Sequence, residues 1–571
     1  MKLFPASSWL RGYDSETFRD DLRAGLVVAV MLVPQGMAYA SLAGLPPIAG
    51  LYASVVPLLV YAMLGTSGQL AVGPVAVVSL LTASGLAPLA DGDTATYIAL
   101  AGTLALMVGV IQIVLGVMRL GALTNLLSHP VLTGFTSAAA LVIALSQVRP
   151  LLGLDLPRPE SFVGGVGDIL SNLTEFHGAT VAVAIVGIVI LVAGRRLYPR
   201  FPTPLLLVAG AIAAVGLLDL ADGGVAVLGD VPSGLPGIVL PDLAWDSIRN
   251  LLPTALTVAL IGYTEGISIA KAMAAKTRQE VSPNQEFIAV GGANVAAGLF
   301  QAFPVAGGFS RTAVNYQAGA RTGMATVVTA VAVALSVLLL TPMFFDLPKA
   351  VLAAIIVVAV AGLVDVSGAR RIFRVRTTDG IALLATFLAT LLLGIEIGIA
   401  IGVLVSLGLF VYGSATPHIA ELGRVSGTTT FRNVAAYTTI TDPKVAAIRL
   451  DGPLFFANAN FLRDRLLALV AARPDLRTVI VDASAVSELD GSADHSLADV
   501  IDHLHDAGIE IHLTTVRGPV RAVMARSGLL ERIGRDRIHA DIGGALDAAG
   551  YALEDPLRYP ESSEPSDLDL F

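Results

Sequence analysis

GTSGQLAVGPVAVVSLL, residues 65–81, and FPVAGGFSRTAVNYQAG, residues 303–319, are the two stretches that decide how the chain is read. In the first, a Gly- and Ser-rich connector runs through Gly73-Pro74 into a helix too short to cross a bilayer, which takes about 20 apolar residues. In the second, Pro304 and Gly307-Gly308 precede another short helix. Irregular backbone survives at membrane depth only where protein or a water-filled cavity satisfies its N–H and C=O groups. Breaks of this kind in an apolar chain therefore mark a site.

The surrounding chain is apolar enough for that argument to apply. Of 571 residues, 55% are hydrophobic and 14% charged, against about 25% charged in a soluble domain. No Asp, Glu, Lys or Arg lies between Arg23 and Asp91. Fourteen apolar segments begin near Leu22, Pro47, Pro74, Ala95, Thr124, Gly178, Pro204, Asn250, Asn284, Ser310, Gly323, Lys349, Gly380 and Glu396. The two broken stretches each stand third in a set of seven. The expected fold is therefore a polytopic α-helical membrane protein of 14 transmembrane segments in two 7-segment repeats, about 22–220 and 250–415, within a transmembrane domain 22–420. An odd number of spans per repeat makes the repeats inverted. Cationic residues set the orientation, because Lys and Arg collect in short cytoplasmic loops. With residues 1–21 inside as a retained N-terminal segment, Arg119, Arg195, Arg196, Arg200, Lys271, Lys276, Arg278, Arg370, Arg371, Arg374 and Arg376 all face the cytoplasm. Both termini are then cytoplasmic, and the membrane is expected to be the inner, cytoplasmic one.

Beyond about residue 425 the texture changes. Residues 421–571 carry 15 Lys+Arg against 23 Asp+Glu, a net −8, whereas 1–420 carry 21 against 22. Short apolar runs alternate with amphipathic segments, as in an α/β fold. Strands are expected at 445–450, 478–483 and 509–515, and helices at 458–472, 492–506 and 519–527. Together they form a soluble domain at 425–552, followed by a disordered acidic tail at 553–571. There is no Cys, which excludes disulfides, thiolate catalysis and Cys-ligated metals. The eight His show no ligand spacing, and no GxxxxGK[ST] motif occurs, so neither a metal, a cofactor nor ATP drive is expected. No paired carboxylates or activated nucleophile point to an enzyme, and an acidic soluble part does not suit nucleic acid.

Two half-helices meeting near the midplane would present N-terminal N–H groups of partial positive charge, a cradle for an anion. Pro74 and Ser310 would start them, with amides of Val75, Ala76 and Val77 and of Ser310, Arg311 and Thr312 donating to the substrate. Arg311 adds a full positive charge; its alternative role is to snorkel to the interface. Glu265, the only acid in the apolar run TVALIGYTEGISIAKA, is a candidate proton or cation site, because intramembrane charges usually line pathways. Its alternative is a helix-end pairing with Lys271 or a carbonyl. Gln35, in VPQGMAYA behind Pro34, can hydrogen-bond an anion without repelling it. Tyr39 in the same run, Asn294 and Gln301 are secondary candidates, the last two equally suited to tying helices together.

VPQGMAYASLAGLPPIAGLYAS from Val33, GTSGQLAVGP from Gly65, NQEFIAVGGANVAAGLFQAFPVAGGFSRTAVNYQAGARTG from Asn284 and EIGIAIGV from Glu396 resemble the sulfate permease (SulP) family of anion transporters. The soluble part resembles that family's STAS domain. The resemblance implies core and gate subdomains, elevator-like movement and a homodimer. It also implies that Gln35 and Glu265 line the site, that Val75 opens the first half-helix, and that Ser310 with Arg311 opens the second. Some relatives carry Asp at the Glu265 position as part of a sodium site; Glu here turns the expectation from sodium toward proton coupling or anion exchange. In related anti-sigma-factor antagonists a phosphorylated Ser or Thr follows the Asp matching Asp490, whereas here Gly491 follows. Ser492 beside it could take the phosphate instead, but is expected to cap the helix that begins there.

The expected function is secondary active transport of small anions of the sulfate, bicarbonate, chloride or dicarboxylate class. An anion channel, or an anion-sensing regulator acting through the STAS domain, are the alternatives.

Overall fold

The computed structural model describes residues 4–10, 12–90, 92–121, 128–156, 161–197 and 203–551. The expected tail at 553–571 lies outside them. The chain divides into two compact units, residues 1–407 and 408–571.

After a short turn of helix at Ala6–Leu10, the first unit begins with α1 (Ser15–Ala43), which Asp14 caps by accepting from the Thr17 N–H at 2.8 Å. It stops at Gly44, whose φ of 84° is the left-handed turn that glycine adopts without strain. Then follow α2 (Pro47–Tyr52), α3 (Val56–Leu64), strand β1 (Val72–Gly73) and the short α4 (Ala76–Leu86). Next come α5 (Thr94–Val117), α6 (His129–Leu152), α7 (Phe162–Ser171), α8 (Gly178–Leu197) and α9 (Thr203–Leu218). The second half runs α10 (Trp245–Thr277), α11 (Pro283–Leu299), β2 (Ala306–Gly307), α12 (Phe309–Gln317), α13 (Met324–Leu339), α14 (Lys349–Val360), α15 (Val366–Val375), α16 (Thr377–Leu393) and α17 (Ile395–Ala415). Eight helical stretches among the described residues are long and apolar enough to cross a membrane when α2 is counted with α3 and α14 with α15, and shorter apolar helices lie between them.

Packing sorts these helices into two groups. In one, α11 packs along α5 and α3, α13 along α1, and α10 along α5; in the other, α6, α14, α16, α8 and α9 pack together. Small residues make the closest seam. Gly102, Gly109 and Gly116 recur every seven residues on α5, and a Cβ on Gly109 would sit 2.6 Å from the Gly291 carbonyl oxygen of α11. Gly298 lies equally close to Gly102. With no hydrophobic drive between helices in lipid, such close backbone approach supplies the packing energy. A cleft of about 1270 Å³ lies between the groups, lined by Ser41 and Leu42 of α1, Leu80 and Ser84 of α4, Arg149 of α6 and Ala353 of α14.

The second unit is a seven-stranded sheet with helices. Its strands are β3 (Ile419–Val425), β4 (Phe431–Asn433), β5 (Thr439–Ile440), β6 (Val445–Leu450), β7 (Thr478–Asp482), β8 (Glu510–Thr514) and β9 (Ile538–His539), in the order β4-β3-β6-β7-β8-β9 with β5 also on β3. From β6 onward the pairs are parallel. VAAIRL and TVIVD are buried almost throughout, as parallel strands covered on both faces must be. Helices α18 (Ala459–Ala472), α19 (Gly491–Asp506) and α20 (Gly518–Ser527) connect them, close to the expected positions. The sheet begins earlier than residue 425, because IAELGRV pairs antiparallel with β6 despite its Glu, Gly and Arg. The cap of α19 also differs from expectation. Asp490 holds it, accepting from the Ala493 N–H at 2.8 Å and, across the fold, from the Phe456 N–H at 2.9 Å, while Ser492 is exposed within the first turn.

Candidate anion site

The two broken stretches meet. Strands β1 and β2 pair antiparallel, Val72 opposite Gly307 and Gly73 opposite Ala306, which satisfies backbone groups that lipid could not. The pairing continues in side chains. The Thr312 hydroxyl accepts from the Ala71 N–H at 3.0 Å and donates to the Gly308 carbonyl at 2.7 Å. The Asn315 amide donates to the Gln69 carbonyl at 3.0 Å, and the Gln69 amide to the Ala320 carbonyl at 3.2 Å. From this crossing α4 and α12 leave, each with an extended residue before its first turn, Val75 and Gly308, and no side chain capping either opening. The first-turn amides Ala76, Val77 and Val78, and Phe309, Ser310 and Arg311, have no intrahelical partner. Partial positive charge collects there.

Arg311 lies between the openings. Its Nη1 donates to the Pro74 carbonyl at 2.8 Å, while Nε and Nη2 have no hydrogen-bond partner although the residue is 2% exposed. Glycine makes the room. A Cβ on Gly308 would sit 2.7 Å from Nη2, and one on Gly73, whose φ is 150°, would sit 3.3 Å away. An unpaired buried guanidinium is costly, and an anion against its two free edges would relieve that cost.

Tyr39 on α1 and Glu265 on α10 are within electrostatic reach of Arg311 and of each other. Gly262 and Gly266 let α10 pass against β2, with built Cβ positions 3.3 and 3.5 Å from Ala306 and Gly307 atoms; Glu265 stands between them at that level. Gln35 is buried, Glu265 half-buried and Ser310 exposed, and the side chains of all three make no hydrogen bond with any described residue. Val75 and Ala76 are buried.

The remaining candidates are engaged elsewhere. The Asn294 amide donates to Gln112 at 3.0 Å, Val290 at 3.1 Å and Val305 at 3.0 Å, and accepts from the Val305 N–H at 2.7 Å. It fixes the strand that leads into α12. Gln301 donates to the Gly237 carbonyl at 3.3 Å.

One residue escaped sequence reasoning. Glu286 on α11 is 1% exposed, and its carboxylate accepts from Tyr61 Oη at 2.8 Å, Thr66 N and Oγ1 at 2.6 Å each, and Ser67 N at 3.2 Å. It anchors the connector that delivers β1. Being the only acid in its apolar helix, it carried the same signal that singled out Glu265.

Residues 18–386 match the sulfate permease family and residues 436–545 the STAS domain. The chain is 38% identical over 590 residues to the chloroplastic sulfate transporter 4.1 of Arabidopsis thaliana, covering 100% of this chain and 84% of that one. It is 36% identical over 546 residues to a probable sulfate transporter of Mycobacterium tuberculosis, covering 95% and 97%. Murine Solute Carrier 26 family member A9, an anion transporter solved in the inward-facing state, superposes with a TM-score of 0.89 at 28% identity, covering 96% and 94%.

Proposed function

The chain belongs to the sulfate permease family, and from that premise we propose that it is a secondary carrier binding one small anion between the N-termini of α4 and α12. The observation that carries the reading is Arg311, buried between two uncapped helix openings with Nε and Nη2 unpartnered. Backbone amides and a planar guanidinium together suit an oxyanion such as sulfate or bicarbonate, or a carboxylate. Chloride fits the same field less specifically. Gln35 supplies a neutral donor, Tyr39 a hydroxyl, and Glu265 a carboxylate that carries a proton through the cycle, giving proton-coupled symport or anion exchange.

The packing supports a movement. The group of α1, α3, α5, α10, α11 and α13 carries the half-helices and is the core; the group of α6, α8, α9, α14 and α16 is the gate. The cleft between them supports sliding of the core as a body, an elevator cycle in fourteen inverted segments. A homodimer in the cytoplasmic membrane, with both termini in the cytoplasm, completes the reading.

Proteoliposomes loaded with unlabelled anion test it. Uptake of labelled sulfate, bicarbonate, chloride and dicarboxylates is measured under imposed proton, sodium and counter-anion gradients. Saturable uptake driven by a proton or counter-anion gradient is expected. Anion binding without flux would overturn the carrier in favour of a sensor, and single-channel steps would favour a channel.

A further inference from the structure

Helix α15 is short, amphipathic and unclaimed by the anion site. Asp365 caps it, accepting from the Gly368 N–H at 2.7 Å, and its ten residues, VSGARRIFRV, reach only about 15 Å, too little to span. The turn at Ala361–Leu363 separates it from α14. At about 100° per residue, Arg370, Arg374 and Arg371 share one face, while Val366, Ala369, Ile372 and Phe373 share the other. Arg370, Arg371, Arg374 and Arg376 are exposed, and no guanidinium among them forms a hydrogen bond or a close ion pair with a described residue. Val366 is 55% exposed, Phe373 39% and Val375 79%.

Two features say what covers this helix. Phe373 lies over Gly380, where a Cβ would collide with its ring, so the apolar face runs into α16, whose Ile381, Leu384, Leu388 and Leu392 form an exposed stripe at helical spacing. Phe373, itself partly exposed, continues that stripe from α16 onto α15. Arg195, at the end of α8, approaches the turn before α15, 4.0 Å from a Cβ built on Gly362. It adds to the positive field, as does exposed Arg196 beside it.

We propose that α15 lies in the membrane interface, its apolar face among acyl chains and its arginines on the headgroups of anionic phospholipid, so that the membrane part selects acidic over neutral lipid at this edge. Short basic amphipathic helices bind bilayers in this way. The selection is independent of the anion site and of transport.

The test uses the full chain reconstituted with spin-labelled phosphatidylglycerol or phosphatidylcholine, and reads the relative association of the two with the protein boundary. Wild type should prefer the acidic lipid by about fivefold or more, the worth of one arginine near a charged surface. R195Q/R196Q/R370Q/R371Q/R374Q/R376Q should bring the ratio close to one, and the six lysine replacements should retain most of it. About 1 M salt, where the screening length is near 3 Å, should abolish the preference in wild type. An unchanged ratio in the glutamine variant overturns the proposal. So does a salt-insensitive ratio in wild type, which needs no variant to fold. Loss of crosslinks to the acidic C-terminal domain in the glutamine variant, with lipid preference intact, would assign the arginines to that domain instead.

Discussion

Replacing Arg311 by Ala removes the only full positive charge among the described residues at the crossing and leaves the amides of both half-helices in place. Two guanidinium edges, Nε and Nη2, are unpartnered, and each can make a charge-assisted bond worth about 1.5–3 kcal/mol net. Because the two act as one planar unit on one anion, their sum is discounted to about 3 kcal/mol, or roughly 150-fold in Kd. The fold should tolerate the change. The Pro74 carbonyl loses a donor at 2.8 Å, about 1 kcal/mol, while loss of a buried charge recovers desolvation energy of at least that size. Arg311→Lys should fall between, since a point charge on a flexible stem cannot present two parallel donors. The assay is equilibrium binding of the transported anion to purified protein in detergent, with thermal unfolding as the control for folding. A Kd within about threefold of wild type, less than about 0.7 kcal/mol, in a well-folded Arg311→Ala protein would refute the reasoning.

Three further outcomes follow from named contacts. Glu265→Gln should flatten the pH dependence of uptake in proteoliposomes and tighten anion binding, because a negative charge within reach of Arg311 is gone; a wild-type pH profile would count against proton coupling through this carboxylate. Glu286→Ala should lower thermal stability by about 4 kcal/mol, since four donors from Tyr61, Thr66 and Ser67 lose their acceptor, with Glu286→Gln losing roughly half as much; unfolding in detergent reads both. In the isolated segment 408–571, urea midpoints should fall as the medium is acidified below pH 6.5. His512 is held below its ordinary value of 6.5 by burial first and by His539 second, its Nδ1 lying 2.9 Å from His539 Nε2. The unfolded chain therefore takes up a proton that the folded one refuses, so stability is complete above 6.5 and declines on acidification through the folded pKa. His512→Gln should remove most of that slope.

What could be read from the residues divides along a physical line. Parallel strands such as Val445–Leu450 announce themselves because burial on both faces demands an unbroken apolar run, whereas Ile419–Val425 hides behind Glu421, Gly423 and Arg424 at the antiparallel side of the sheet. The half-helices were legible from Gly and Pro, which punctuate backbone locally. Asp490 and Ser492 are both able caps, and the choice between them fell to a contact with Phe456 that no local pattern contains. Glu286 and Thr312 were opaque for the same reason. Their partners are 220 and 241 positions away, so a composition that reads as ligand-ready in one span can be committed to another. Arg311 and Asn294 look alike as polar residues in apolar runs, and only the hydrogen-bond tally separates the one with free edges from the one with none.

The two-residue ladder between β1 and β2 has a consequence for how the protein is made. Val72 finds its partner only when Gly307 has been synthesised, so the first half-helix must enter the bilayer with its strand backbone unpaired. For the time it takes the ribosome to translate the intervening segments, that stretch needs water, the insertion machinery or a chaperone to satisfy it. Premature termination anywhere before Thr312 would leave not half a binding site but an exposed polar seam in lipid, a recognisable target for membrane quality control.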